Sequence, residues 1–193
     1  LISSISAEAL DNVERLRNHP SIVLWCGNNE VLSAWKRWGW EEQNKQTQSE
    51  EIADLLWSAY DTIFHHVLPS AVKKGAPKAL YWSASPSSSR GVKSSNSSGD
   101  MHYWGVWWGV EPFLAYEKEL PRFMSEYGFQ SFPCISTIGH FTNQEDRDVY
   151  SRVMQSHQRS SIGNKTIEEY LLRDYRPPKD FKSFVYVSLL LQA

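Results

Sequence analysis

Two glutamates stand out by where they fall. Glu30 closes the stretch Ile22–Glu30, where an apolar run, IVLWC, stops on Gly27, Asn28 and Asn29. Glu126 closes a second run, RFMSE. Each lies just past the carboxyl end of a predicted strand, the edge at which parallel α/β folds form active sites. Two carboxylates meeting there suit cleavage of a glycosidic bond. One must hold a proton for the leaving oxygen; the other must be ionised, as a nucleophile or as a base for water. Amides beside Glu30 would hold it and bind a sugar hydroxyl. Tyr103 and Tyr127 could donate to the ionised carboxylate and keep it charged. His102, which precedes Tyr103 and Trp104, would line a sugar pocket together with tryptophans such as Trp82. The other acids, such as Glu8, Glu14, Glu50 and Glu51, fall on helix faces and read as solvated. His65 and His66 are adjacent, which is not the i, i+4 spacing of helical metal ligands.

The elements that would carry these residues alternate. Ile5, Ala9, Leu10, Val13 and Leu16 recur at helical spacing, and Pro20 follows. Ser21 to Gly27 reads as a strand buried on both faces. Thr47 with Glu50 makes a capping box, and Ile52, Leu55, Leu56, Ala59, Ile63 and Val67 trace one face of a second helix, stopped near Pro69 and Gly75. KALYWS (Lys78 to Ser83), MHYWGVWW and RFMSEYGFQ read as further strands, with FLAYEKELP as a short helix before the last. Residues 85–100, rich in Ser, Gly and Asn, read as a functional loop or lid. Helices then follow at Glu145–Arg159, behind a Thr142/Glu145 capping box, at Thr166–Arg173 and from Phe181 onward. Strands alternating with helices mean βαβ units and a parallel sheet. That leaves an open doubly wound sheet or part of a (β/α)8 barrel; without a glycine-rich phosphate motif, the nucleotide-binding version loses support.

Bulk properties agree with a globular domain. The 193 residues are 41% hydrophobic and 22% charged, with a net charge of −2, so nothing points to nucleic acid or a membrane surface as partner. Both ends read as cut, which suggests a piece of a longer protein. Cys26 and Cys134 lack metal spacing, and Cys26 reads as a buried free thiol. Nine tryptophans are many; clusters at Trp35, Trp38 and Trp40 and at Trp104, Trp107 and Trp108 are hard to bury completely. Sequons at Asn96 and Asn164 would matter only in a secretory pathway.

Three ordered motifs, LRNHPSIVLWCGNNE, GDMHYWGVWWG and RFMSEYGFQSFP, together resemble the catalytic domain of β-mannosidases in glycoside hydrolase family 2, from about Leu10 to the C-terminus. The resemblance implies a (β/α)8 barrel of which residues 1–193 hold strands four to seven, truncated at both ends. It implies that Glu30 is the acid/base, that Asn29 beside it binds the sugar, and that Glu126 is the nucleophile of a retaining mechanism on a mannoside or oligosaccharide. No metal or organic cofactor is needed. The resemblance further implies that an open part-barrel has little activity alone, with two bare sheet edges through which copies could associate. Related activities on β-galactosides or β-glucuronides, and a non-catalytic carbohydrate-binding segment, are the competing readings.

Overall fold

The computed structural model describes residues 1–87 and 96–193, which fall into two compact units. One comprises Leu1–His102 and Leu120–Glu126; the other comprises Tyr103–Glu119 and Tyr127–Ala193. The centre of the expected loop at 85–100 lies outside the described residues. Among those described, no helix is long and apolar enough to cross a membrane.

The first unit opens with α1 (Ile2–Leu16), whose apolar spacing turns Val13 inward. Helix α1 packs on α5 (Leu68–Gly75), and the contact needs the glycine that ends α5. A Cβ on Gly75 would come within 2.8 Å of Val13 Cγ1, while Arg17 Nη1 donates to the Gly75 carbonyl at 2.7 Å. Between them run α2 (Val31–Arg37), α3 (Trp40–Thr47) and α4 (Glu50–Asp61), which continues through a π-helical turn (Thr62–Val67) into α5. Pro69 therefore does not stop the helix. It sits where the π-helical turn passes into α5. The cap of α4 is Ser49, whose hydroxyl accepts from Ile52 N, not Thr47. Thr47 instead ends α3 and donates its hydroxyl back to the Gln43 carbonyl.

Strand β1 (Trp25–Cys26) pairs in parallel with β2 (Tyr81–Trp82), Trp25 opposite Tyr81 and Cys26 opposite Trp82. A parallel bridge between Asn29 and Ser85 prolongs the pairing. Gly27 is required here, because a Cβ would lie 2.5 Å from both the Ser83 carbonyl and the Tyr81 hydroxyl. The reading of Ser21–Gly27 as a doubly buried strand is corrected. Only two of its residues are strand, Val23 is 72% exposed, and Cys26 is exposed rather than buried. An apolar run records hydrophobicity, but burial on both faces needs covering layers, and among the described residues β1 has a single sheet neighbour.

A second two-stranded sheet joins β3 (Met101–Tyr103) and β4 (Met124–Tyr127), with Met101 N donating to the Phe123 carbonyl at 2.9 Å. The described residues thus form a mixed helix and strand fold with two small sheets. Among the described residues, the four strands do not join into one barrel wall.

The second unit is built around aromatic packing. Phe129 meets Trp107, Phe113 and Tyr170 edge-on, with ring centroids 5.1, 5.2 and 4.8 Å away. Such edge-to-face contacts suit the ring quadrupoles. Val106, Ile138, Ile167, Leu171 and Val185 complete the core. The core is framed by α6 (Ile135–Ile138), α7 (Arg152–His157), α8 (Gly163–Asp174) and α9 (Phe181–Gln192). The helix expected at Glu145–Arg159 is shorter. A 3-10 turn at Gln144–Asp146, capped by Asn143, precedes α7. Thr142, expected as the cap, donates its hydroxyl to the Ile138 carbonyl instead. The expected helix at Phe113 is a single 3-10 segment, Phe113–Glu117. Asn164 of the second sequon is engaged within this unit, its amide donating to the Val149 carbonyl.

Candidate active site

Glu30 sits where β1 has ended and α2 begins. Its backbone is left-handed, with φ of 59°, a conformation that costs a residue with a Cβ roughly 1–2 kcal/mol. Three bonds hold it there. Its N–H donates to the Ser85 carbonyl at 2.8 Å, its carbonyl accepts from Ala34 N at 2.8 Å, and the neighbouring Asn28 accepts from Val31 N through Oδ1 at 3.1 Å. Asn28 also donates to the Ser83 carbonyl at 2.7 Å. The two amides therefore divide their work: Asn28 clamps the turn, and Asn29 stays exposed on the bridge to Ser85.

Glu126 lies on β4 and His102 on β3, in adjacent strands of the second sheet. His102 Nδ1 lies 2.8 Å from Glu30 Oε1 and 3.4 Å from Glu126 Oε2. The imidazole is 4% exposed, while the two carboxylate side chains are 22% and 33% exposed. One oxygen of each glutamate and one imidazole nitrogen all lie within 4.8 Å of one another. Both acids thus face one point while staying open to solvent.

Behind the imidazole lies a layer that sequence reasoning missed. Asp100, 1% exposed, accepts from the Ser85 hydroxyl at 2.6 Å, from the Ser87 N–H at 2.5 Å and from the Ser125 hydroxyl. Burial pushes the Asp100 carboxyl up, but the bonds from Ser125, Ser85 and Ser87 outweigh it and hold the group below the usual carboxylate range. Ser85 Oγ also meets His102 Nε2 at 2.9 Å. One sequence signal was available: Asp100 and His102 alternate about Met101, the i, i+2 spacing that puts two side chains on one face of a strand.

The other expected residues are placed as follows. Trp82 lies in the first unit, its ring tilted against Phe123 at 6.4 Å. It lines a groove of about 900 Å³ with Trp57, Tyr60, Phe64, His65 and Tyr81. Tyr103, Trp104 and Tyr127 belong to the second unit. The Tyr103 hydroxyl donates its one proton to Glu111 at 2.5 Å, and burial together with Glu111 pushes the phenol well up. Trp104 packs half-buried on the aromatic core. Tyr127 is exposed and meets Tyr116 edge-on at 5.7 Å.

No protein-family model matches the chain. Curated relatives do. The chain is 36% identical over 197 aligned residues to β-mannosidase B of Emericella nidulans, and 34% identical over 195 to β-mannosidase B of Aspergillus niger. In both, the match takes in the whole chain. The chain is homologous to β-mannosidases. It spans 23% of the length of these relatives. The crystal structure of a β-D-mannosidase from Dictyoglomus thermophilum superposes with a TM-score of 0.72 at 31% identity, covering 99% of this chain and 22% of that one. The β-mannosidase likeness therefore extends through both units and includes the stretch that carries Glu30, His102 and Glu126.

Proposed function

We propose that the chain is the segment of a retaining β-mannosidase of glycoside hydrolase family 2 that carries both catalytic carboxylates. In this reading residues 1–193 are part of a (β/α)8 catalytic domain, and the substrate is a terminal β-D-mannose residue of a mannoside or oligosaccharide. The observation that carries the reading is the approach of the Glu30 and Glu126 carboxylates around one imidazole, in a chain whose relatives are named β-mannosidases.

The proposed chemistry is a double displacement. Glu126 attacks the anomeric carbon as Glu30 gives its proton to the glycosidic oxygen, and the C1–O bond to the leaving group breaks. Glu30 then takes a proton from water, the hydroxide oxygen bonds to C1, and Glu126 leaves as a carboxylate. Oxygens within 4.8 Å favour this double displacement over inversion, which needs carboxyl groups about 6.5–9.5 Å apart to admit water. Asn29, His102, Tyr103, Trp104, Tyr127 and Trp82 are the proposed substrate-binding residues. The exposed faces of Asn29 and Tyr127 support direct contact with sugar, whereas His102 is sheltered behind the acids.

The test is hydrolysis of nitrophenyl β-mannoside, β-galactoside and β-glucuronide by the enzyme containing this segment, with Glu126→Ala and Glu30→Ala variants. β-Mannoside should be the preferred substrate. Added azide should rescue Glu126→Ala with the α-mannosyl azide as product, and Glu30→Ala with the β-mannosyl azide. Turnover that survives both substitutions overturns the roles given to the two carboxylates, whereas sugar binding with no turnover in the parent enzyme would leave a carbohydrate-binding role. The 193-residue chain by itself should show little or no turnover and a tendency to associate through its sheet edges.

A further inference from the structure

The hydrogen bonds around His102 can be counted proton by proton. Among the described residues, three donors converge on Asp100: the Ser87 N–H on Oδ1, and the Ser85 and Ser125 hydroxyls on Oδ2. Three donors on one buried carboxyl favour its ionised form. The Ser85 hydroxyl has a single proton, and it is directed to Asp100 at 2.6 Å. Ser85 Oγ can then only accept from His102 Nε2, 2.9 Å away, so Nε2 carries a hydrogen. On the other side of the ring, Nδ1 faces Glu30 Oε1 at 2.8 Å. Two lone pairs would repel at that distance, so one proton lies between them, on the carboxyl or on the ring. The remaining acids facing the ring are Glu126, 3.4 Å from Nδ1, and Asp100 itself, 3.9 Å from Nε2.

We propose that Asp100, acting through Ser85, sets the hydrogen of His102 on Nε2, so that His102 Nδ1 and Glu30 share one proton, and that this is the proton Glu30 delivers to the leaving oxygen. The inference rests on the reading of Glu30 as acid/base. Asp100, Ser85 and His102 are positioning residues in it. During glycosylation the shared proton passes from Glu30 to the glycosidic oxygen as the C1–O bond breaks and Glu126 bonds to C1. The emptied pair sets the Nδ1 lone pair against a carboxylate. In the second step that pair recovers its proton from water, while the hydroxide oxygen bonds to C1 and Glu126 departs.

Asp100→Asn tests the relay with little change in shape. The Ser87 N–H keeps the amide oxygen on its own side, so the NH2 group takes the Oδ2 position and donates to Ser85. The serine proton then turns to Nε2, the ring hydrogen moves to Nδ1, and Glu30 faces a permanent donor without a proton of its own. In the enzyme containing this segment, kcat/KM is compared on dinitrophenyl β-mannoside, which needs no acid, and phenyl β-mannoside, which does. General acid assistance contributes about 10²–10⁴-fold. Asp100→Asn should therefore lose at least about tenfold more on the phenyl substrate. Nitrogen NMR of labelled histidine should place the His102 hydrogen on Nε2 in the parent and on Nδ1 in the variant. If Asp100→Asn does not fold, Ser85→Ala carries the same comparison, with the Ser87 and Ser125 bonds to Asp100 retained. Equal losses on the two substrates, or an unchanged imidazole spectrum, overturn the relay. Equal losses for Glu30→Gln would instead show that Glu30 is not the acid, and the functional reading fails with it.

Discussion

Glu30 and His102 are 72 residues apart in the chain, yet Oε1 of one lies 2.8 Å from Nδ1 of the other. The glutamate reaches the imidazole from a left-handed backbone at φ of 59°. Strain of this kind persists where the surroundings over-determine it, and it gathers at functional sites.

That strain can be measured by comparing two variants that both lose the carboxylate. Glu30→Gly accepts the left-handed conformation freely, whereas Glu30→Ala does not. The glycine variant should be more stable by about 1 kcal/mol. Denaturant unfolding of the two proteins reads the difference; equal midpoints would mean that the turn relaxes at no cost.

Gly75→Ala should loosen the seat of α1. The added methyl carbon would lie 2.8 Å from Val13 Cγ1 and 3.3 Å from Leu10 Cδ1, and α1 must shift to admit it. Overpacking of this kind costs about 1–3 kcal/mol. Thermal melting should fall, and α1 should become more open to limited proteolysis. An unchanged melting temperature would show that this contact yields freely.

Tyr170 ties the second unit together. Its buried hydroxyl shares its one proton between the carbonyls of Val106 and Glu111, while its ring packs on Phe113 and Phe129. Tyr170→Phe keeps the ring and strands two carbonyls, which should cost about 1–3 kcal/mol. Tyr170→Ala removes the ring as well and should cost about 3–5 kcal/mol. Chemical unfolding of both variants tests the order; a phenylalanine variant as stable as the parent would assign the whole effect to packing.

The two cysteines should differ sharply in reactivity. Hydrogen bonds from Ser136 and Thr137 lower the exposed Cys134 thiol to about 7, whereas desolvation of its sulfur, helped by the charge of Asp100, pushes Cys26 up even though the residue is exposed. The thiolate is the reactive form. Cys134 should therefore reach half its maximal alkylation rate near pH 7, with the rate falling as the pH drops below that. Cys26 should need more alkaline solution. Ser136→Ala should move the Cys134 midpoint upward. Identical rate profiles for the two thiols would contradict the hydrogen-bond account.

Local pattern was readable in the chain itself. The helical spacing of Ile5 through Leu16 marks α1, and Phe181 onward marks α9. The carboxylates that close two apolar runs point to paired acids, and three ordered motifs carry the family likeness. Each of these signals lies within about fifteen residues, the range over which side-chain period and capping act. What depended on distant partners was not readable. Cys26 is exposed because, among the described residues, β1 has one sheet neighbour. Ser49 rather than Thr47 caps α4, the Tyr103 proton goes to Glu111, and Asp100 gathers three serines behind His102. Those outcomes rest on bonds and covering layers that form only when separate segments meet, and no local pattern records which segments those will be.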